Sequence, residues 1–225
     1  MDLHQLKEMK KVNLFHDIND DEYAIMINCL SPQTRHFTKN EILLLTGDFI
    51  HHVGIIISGT ACAYLDHISG NHTLISSLTP KSVFGDVLVS TKTQESPVTI
   101  YATSDVTATF IEYRKIYSMC AKACPAHRMF LQNMLRNIGD KYFRLFDRIN
   151  ILREKTLRAK ILAYLHTLQP NPTAPFSVTI PFSKTMLANY LMANRSALSK
   201  ELRSMENDGL IIVDGRSVRL LTATP

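Results

Sequence analysis

Arg195, Ser196, Ser199, Lys200 and Arg203 fall on one side of the helical pattern running from Asn194 to Asn207, opposite an apolar stripe of Leu198, Leu202 and Met205. An arginine can grip a guanine through two hydrogen bonds, and lysine or a further arginine can neutralise phosphate, so this face has the chemistry to read a nucleic acid. The same residues could equally be the solvated side of an amphipathic helix, which is the usual meaning of such a face. Their neighbours decide between the two. Ser183 to Leu191 is another helical pattern with a polar start signal at Ser183, and only Met192-Ala193 separates it from the first, which predicts a tight helix-turn-helix. Asn194 is suited to be the N-cap, and this places Arg195 and Ser196 in the first turn, where a helix entering the major groove end-on touches base edges. Leu210 to Val213 and Ser217 to Leu221 are apolar strands around Asp214-Gly215-Arg216, a hairpin whose basic tip, Arg216, is placed to touch phosphate.

Charge is distributed to match. Residues 1–124 hold 10 Lys and Arg against 13 Asp and Glu, a balance of −3, whereas residues 125–225 hold 15 against 7, a balance of +8. With 225 residues, 45% hydrophobic and 20% charged, the chain has the composition of a folded protein and the length for two small domains. Its apolar runs, such as Ile42 to Leu45 and Ile55 to Ile57, fall far short of the roughly 20 residues that cross a bilayer, and Met1 to Lys11 does not lead into a secretory apolar stretch. A cytoplasmic protein without membrane contact is therefore expected. Cys29, Cys62, Cys120 and Cys124 lack a disulfide framework spacing, so free thiols are expected as well.

The positioning elements can be read from periodicity. The first 30 residues look helical, with Asp20 or Asp21 as a cap and Tyr23, Ile27 and Leu30 on one side, ready to pack on the strand-rich segment after them. From Thr34 to Glu112, β-branched and aromatic runs alternate with turn signals at Thr46-Gly47-Asp48, Ser58-Gly59, Ser69-Gly70-Asn71 and Ser104-Asp105, the pattern of an antiparallel sandwich or barrel. After Pro125, apolar residues recur at Leu131, Leu135, Ile138, Tyr142, Leu145, Ile149 and Leu152, spaced 4, 3, 4, 3, 4, 3, which is a coiled-coil seam. A long helix lying on its own barrel would also need an apolar stripe. Met134, Phe143 and Phe146 widen the stripe to one side, so the helix is expected to turn its seam to another copy of the chain and these three to the barrel. Another helix is expected from Glu154 to Leu168, with Leu157, Ile161, Leu162 and Leu165 on one face, then the proline-broken stretch Gln169 to Pro175 and a short strand, Ser177 to Ile180.

Taken together, the chain resembles the Crp-Fnr family of bacterial transcription regulators, over nearly its whole length. Gly47, Gly59 and Phe84-Gly85-Asp86 stand at family spacing, and Ser183 to Leu220 matches the winged helix-turn-helix. The resemblance implies an α+β fold: an N-terminal double-stranded antiparallel β-roll of the cyclic-nucleotide-binding type sensing an effector (residues 1–124), a long dimerisation helix (125–153) and a C-terminal DNA-binding winged helix-turn-helix (154–225). It also implies a homodimer on double-stranded DNA carrying an inverted repeat, with RNA polymerase as a partner should the protein activate genes. The positions matching Arg195, Ser196 and Lys200 would read bases. The cassette Phe84 to Val98 (Phe84, Gly85, Asp86, Val87, Ser96, Pro97, Val98), with Tyr142, would form the effector pocket. Several positions depart from the pattern. Cyclic-nucleotide binders carry Gly-Glu and, eleven residues after the Gly, an Arg followed by Ser or Thr; here Asp86 follows Gly85, and Ser96-Pro97 occupies the Arg position. No side chain in the cassette then offers a paired charge to a cyclic phosphate, and cyclic AMP in the usual mode is not expected. No cysteine precedes Cys29, so the family's iron-sulfur centre is not expected either. Ser196 stands where an acidic residue is frequent, which changes the expected operator. Met192 stands where the turn commonly has Gly, at a cost on the order of 1 kcal/mol if the backbone there is left-handed.

Rival readings use the histidines and thiols. His4, His16, His36, His51, His52, His67, His72 and His127 all precede residue 128, and a metal or haem ligand among them would point to a cupin-like metal-dependent β-barrel enzyme. That site needs two histidines separated by one residue, a Glu a few positions later and another His; His51 and His52 are adjacent, and no acidic residue follows until Asp66, so no metal ligand and no catalytic residue is assigned. Neither a Walker phosphate loop nor a nucleophile elbow is present. Cys120 and Cys124, four residues apart, could sense oxidation or simply pack. A ligand-binding signalling module without DNA binding would need a degenerate second domain, and the basic helix face argues against it.

Overall fold

The computed structural model describes residues 2–66, 72–118, 125–169 and 175–221. The expected turn at Ser69-Gly70-Asn71, His67, both Cys120 and Cys124, and Pro170 to Ala174 of the proline-broken stretch lie outside the described residues. The chain divides into two compact units, Met1–Lys141 and Tyr142–Pro225, and the division falls inside one long helix.

The first unit opens with α1 (Leu3–Lys10), a 3-10 turn at Asn13–Phe15 and α2 (Asp20–Leu30). The cap of α2 is Asn19, whose side-chain oxygen accepts from the Glu22 N–H at 2.9 Å. Asp20 and Asp21, expected as caps, lie instead in the first turn, where their charge faces the positive end of the helix. Then come β1 (Gln33–Phe37), β2 (Ile42–Leu44), β3 (His52–Ser58), β4 (Ala61–Asp66), β5 (His72–Leu78), β6 (Val83–Phe84), α3 (Asp86–Val89), β7 (Thr99–Ala102), β8 (Val106–Glu112) and α4 (Tyr113–Tyr117). These strands form two four-stranded sheets in the orders β1-β8-β3-β6 and β2-β7-β4-β5, with every pairing antiparallel.

Alternation along β3 explains why that strand is buried on both faces. Val53, Ile55 and Ile57 point away from the roll and join Ile111 in a cluster with Met9, Leu14, Phe15, Met26 and Leu30. Ile56, one residue out of phase, points inward to Ala61, Ala63, Ile100 and Ala108. The amino-terminal helices thus pack on the sheet as expected, and a strand with no solvent face reads as a continuous apolar run rather than an alternating one.

Pro125–Arg153 is a single helix, α5. Phe130 and Met134 complete the outer cluster, and Leu131 and Ile138 rest partly on it. Asn133 ties the same segment down, its Nδ2 donating to the carbonyls of Leu14 (3.2 Å) and His16 (2.8 Å). Leu135, Tyr142, Leu145 and Ile149 are exposed, as are Phe143 and Phe146. The expectation that Met134, Phe143 and Phe146 form one flank facing the barrel is therefore corrected. Nine residues separate Met134 from Phe143, two and a half turns of helix, so the two project in opposite directions. Of the three, Met134 alone is buried, in the first unit's outer cluster.

The second unit adds α6 (Leu157–Thr167), β9 (Phe176–Thr179), α7 (Lys184–Tyr190), α8 (Arg195–Asn207), β10 (Ile211–Asp214) and β11 (Ser217–Leu220). Helix α6 starts three residues later than expected because Thr156 is its cap, with Oγ1 accepting from the Ala159 N–H at 3.1 Å. Its Ile161 and Leu165 are buried with Tyr164, while Leu157 and Leu162 are half-buried. The three strands pair antiparallel in the order β10-β11-β9, and α8 packs against α6, α7 and β10. No helix among the described residues is long and apolar enough to cross a membrane.

Candidate nucleic-acid interface and sensing roll

The turn between α7 and α8 is built on a strained residue. Ser183 caps α7, its Oγ accepting from the Met186 N–H at 3.3 Å, and Leu191 ends the helix. Met192 then adopts φ +53°, the left-handed conformation expected at the position where glycine is common, and its side chain remains exposed. Asn194 occupies the N-cap position in extended geometry but makes no side-chain cap bond, so the first-turn N–H groups of α8 are not closed off by it. Leu198, Leu202 and Met205 are buried, whereas Arg195, Ser196, Lys200 and Arg203 are exposed and Ser199 is half-buried. At 3.6 residues per turn these five span an arc of roughly 140°. At the hairpin tip Arg216 is exposed beside Gly215, whose φ of +58° suits the tight turn.

Glu201 and Asp208, at the middle and end of α8, are paired with a cation of another helix, which periodicity alone did not reveal. Arg158 on α6 donates from Nε to Glu201 (2.7 Å), pairs through Nη1 with Asp208 (2.7 Å) and donates from Nη2 to the Ser204 hydroxyl (2.9 Å). Glu206 accepts from the Val213 N–H at 2.9 Å, joining the helix to the wing. Three carboxylates are thereby engaged, two of them by the Arg158 cation, beside an outward arc that carries Arg195, Lys200 and Arg203. Within the same unit, the Arg148 guanidinium of α5 lies 4.5 Å from the centre of the Tyr190 ring on α7, and Tyr190 packs against Phe182 and Tyr164 at 5.2 and 5.4 Å. This aromatic clip fixes α7, the helix that supports α8, to the last turns of α5.

In the roll, Gly85 takes φ +78° and brings its backbone so close to the His52 carbonyl that a Cβ would sit 2.7 Å from the oxygen. The Asp86 carboxylate is fully buried, accepts from Asn137 Nδ2 at 2.7 Å and forms an ion pair with Lys141, whose ammonium also donates to the Val83 carbonyl at 2.8 Å. Ser96 is buried too; its hydroxyl donates to the Val98 carbonyl at 2.7 Å, and its peptide bonds to Asp48 and Gly47. Val87, Pro97 and Tyr142 are exposed and Val98 is half-buried. Of the eight pocket residues named from the sequence, Phe84 and Gly85 line a cleft of about 250 Å³, together with Arg35, His51, His52 and Phe110, which sequence reasoning did not single out as a group.

Comparison with known proteins agrees with this geometry. Residues 34–123 match the model of the cyclic nucleotide-binding domain, and residues 159–223 match that of the Crp-like helix-turn-helix domain. The chain is 24% identical over 191 residues to the transcriptional activator protein FnrA of Stutzerimonas stutzeri, covering 83% of this chain and 76% of that protein. The chain belongs to the Crp-Fnr family. Among solved structures, a CooA mutant from Carboxydothermus hydrogenoformans superposes with a TM-score of 0.74 at 19% identity, covering 96% of this chain and 95% of that one. The c-di-GMP responsive regulator CLP of Xanthomonas campestris superposes at 0.67 with 16% identity, covering 89% and 100%. As a Crp-Fnr regulator the protein carries a cyclic-nucleotide-binding-type sensory roll and a DNA-binding helix-turn-helix. Arg158 and the Asp86 partners were not legible beforehand, since each bond joins residues more than forty apart in the chain.

Proposed function

We propose that the protein is a homodimeric one-component transcription regulator that binds inverted-repeat DNA through two copies of α8, under the control of a signal received in the roll. The observation that carries this reading is the outward face of α8, where Arg195, Ser196, Ser199, Lys200 and Arg203 are presented while Arg158 neutralises Glu201 and Asp208. Arg195, in the first turn, reads a base edge; Arg216, at the wing tip, holds phosphate. The exposed stripe Leu135, Tyr142, Leu145 and Ile149, with the half-buried Leu131, Ile138 and Leu152, supports the dimer, because a heptad seam left in water would cost the apolar burial that another copy supplies. Residues 1–124 sense, 125–153 dimerise and 154–225 bind DNA. The relatives' names mention c-di-GMP for one regulator and OCPA for another, so the identity of an effector does not carry over by likeness.

Binding-site selection with the parent, Arg195→Ala and Arg216→Ala tests this function. The parent should select an inverted repeat with half-site centres about 34 Å apart. Arg195→Ala should cost roughly 1 to 3 kcal/mol on that site and flatten one symmetric base-pair position, whereas Arg216→Ala should weaken all sequences alike and lower the salt slope by about one per contact. If Arg195→Ala keeps the parental motif and loses only salt-sensitive affinity, Arg195 holds the backbone and specificity rests on Ser196, Ser199 or Lys200.

A further inference from the structure

The cleft that shares Phe84 and Gly85 with the cassette has an aromatic floor and a polar rim that includes Arg35, His51, His52 and Asp48. The Phe84 ring meets the Phe110 ring edge-on, with centres 5.7 Å apart. It can lie there only because residue 54 is glycine: a Cβ on Gly54 would sit 2.2 Å from the Phe84 ring. Phe49, 64% exposed, stands at the mouth. Above the floor the Arg35 guanidinium lies 5.1 Å from the centre of the Phe110 ring, an arrangement that orients its planar fork. Among the described residues no hydrogen bond or ion pair occupies that guanidinium, nor the rings of His51 and His52 beside it. The acid that lines the cleft, Asp48, already accepts from the Leu45 N–H at 3.2 Å. Burial, and then the positive charge of Arg35 and His51, hold the His52 imidazole below its ordinary range against the opposing pull of Glu112. The cleft thus sets one permanent cation, Arg35, over an apolar base, with the Asp48 carboxylate elsewhere in its lining.

We propose that this cleft binds a small aromatic carboxylate, with its ring against Phe84 and Phe110 and its carboxylate on Arg35. Arginine presents two parallel N–H donors that match a carboxylate, and a ring below satisfies the aromatic floor. Size selects the class further. A volume of about 250 Å³ lies beneath the roughly 300 to 1,000 Å³ of pockets for drug-sized ligands, so a single ring is accommodated. A bare inorganic anion would leave the Phe84 and Phe110 faces wet, and a neutral aromatic would forgo the charge-assisted pair that the exposed Arg35 guanidinium offers. Its role as an effector site rests on the regulator function proposed above, but the binding does not.

The experiment is calorimetric titration of the full-length protein with benzoate and phenylacetate, with benzamide and acetate as the neutral and ringless controls. One of the two aromatic acids should bind saturably, at least about tenfold tighter than either control, the discrimination expected of one charge-assisted pair. Arg35→Gln should lose at least about tenfold. Arg35→Lys, which keeps the charge but not the fork, should not restore parental affinity. Equal binding of benzoate and benzamide, no saturable binding of either acid, or parental affinity in Arg35→Gln would overturn the proposal. Gel shifts on the selected operator are run on the same proteins without ligand. Loss of DNA binding with benzoate affinity intact refutes the regulator function alone, and intact DNA binding without benzoate affinity refutes the cleft alone.

Discussion

Replacing Lys141 with methionine keeps the length and apolar stem of the side chain but removes the cation that faces Asp86. In the parent both Asp86 oxygens are engaged, one by Lys141 and the other by Asn137 at 2.7 Å, and the carboxylate has no contact with water. After the change Asp86 keeps one neutral partner in a site it cannot leave, because it sits in the first turn of α3 directly after the close-packed Gly85. Breaking a buried pair from one side usually costs about 3 to 5 kcal/mol. The Lys141 side chain is 27% exposed, so water can partly replace it, and the lower end, about 3 kcal/mol, is expected. For a unit of 141 residues this corresponds to roughly a 10 °C drop in the first unit's calorimetric transition. Asp86→Asn should cost less, since Lys141 can turn its ammonium to solvent, while the double variant Asp86→Asn/Lys141→Met should recover part of the loss because no buried charge is stranded. A Lys141→Met transition within about 1 °C of the parent, or strictly additive single effects, would refute the view that this pair anchors α5 to the roll.

Leu145→Glu should put a charge into the proposed seam opposite its own copy, giving monomers or insoluble protein by analytical ultracentrifugation; a well-folded dimer like the parent would place the seam elsewhere. Arg158→Ala should release Glu201 and Asp208 near the basic arc, lowering affinity for the selected operator severalfold with a shallower salt dependence, and unchanged affinity would show that the arc does not depend on their confinement.

Periodicity carried most of the architecture. The 4, 3 spacing from Leu131 to Leu152 announced one long helix, the two-residue gap at Met192-Ala193 announced the turn, and the Gly positions marked the strand ends; each signal is local, and α5, the Met192 backbone and the β3 to β4 turn all answer to it. The flank of α5 escapes such a reading because Met134, Phe143 and Phe146 are alike in type and differ only in phase, which turns Phe143 about 180° and Phe146 about 120° from the buried methionine. The sites were less legible for a related reason. A pattern shows which face a charged residue shares, but not which opposite charge it meets. Arg158 and Lys141 look like solvated cations in the sequence, yet one pins the acids of α8 and the other seals the cassette acid onto α5. Arg35, by contrast, looks no different from them and keeps its guanidinium unengaged by any described acid. Cations already paired within the fold can be told from available ones only once the chain is folded, and Arg195, Lys200, Arg203 and Arg216 of the second unit and Arg35 of the roll are among those left available. If the outward set works as proposed, the first four meet a polyanion too large for a pocket, whereas Arg35, set over aromatic rings in a cleft of about 250 Å³, meets an anion small enough to enter one.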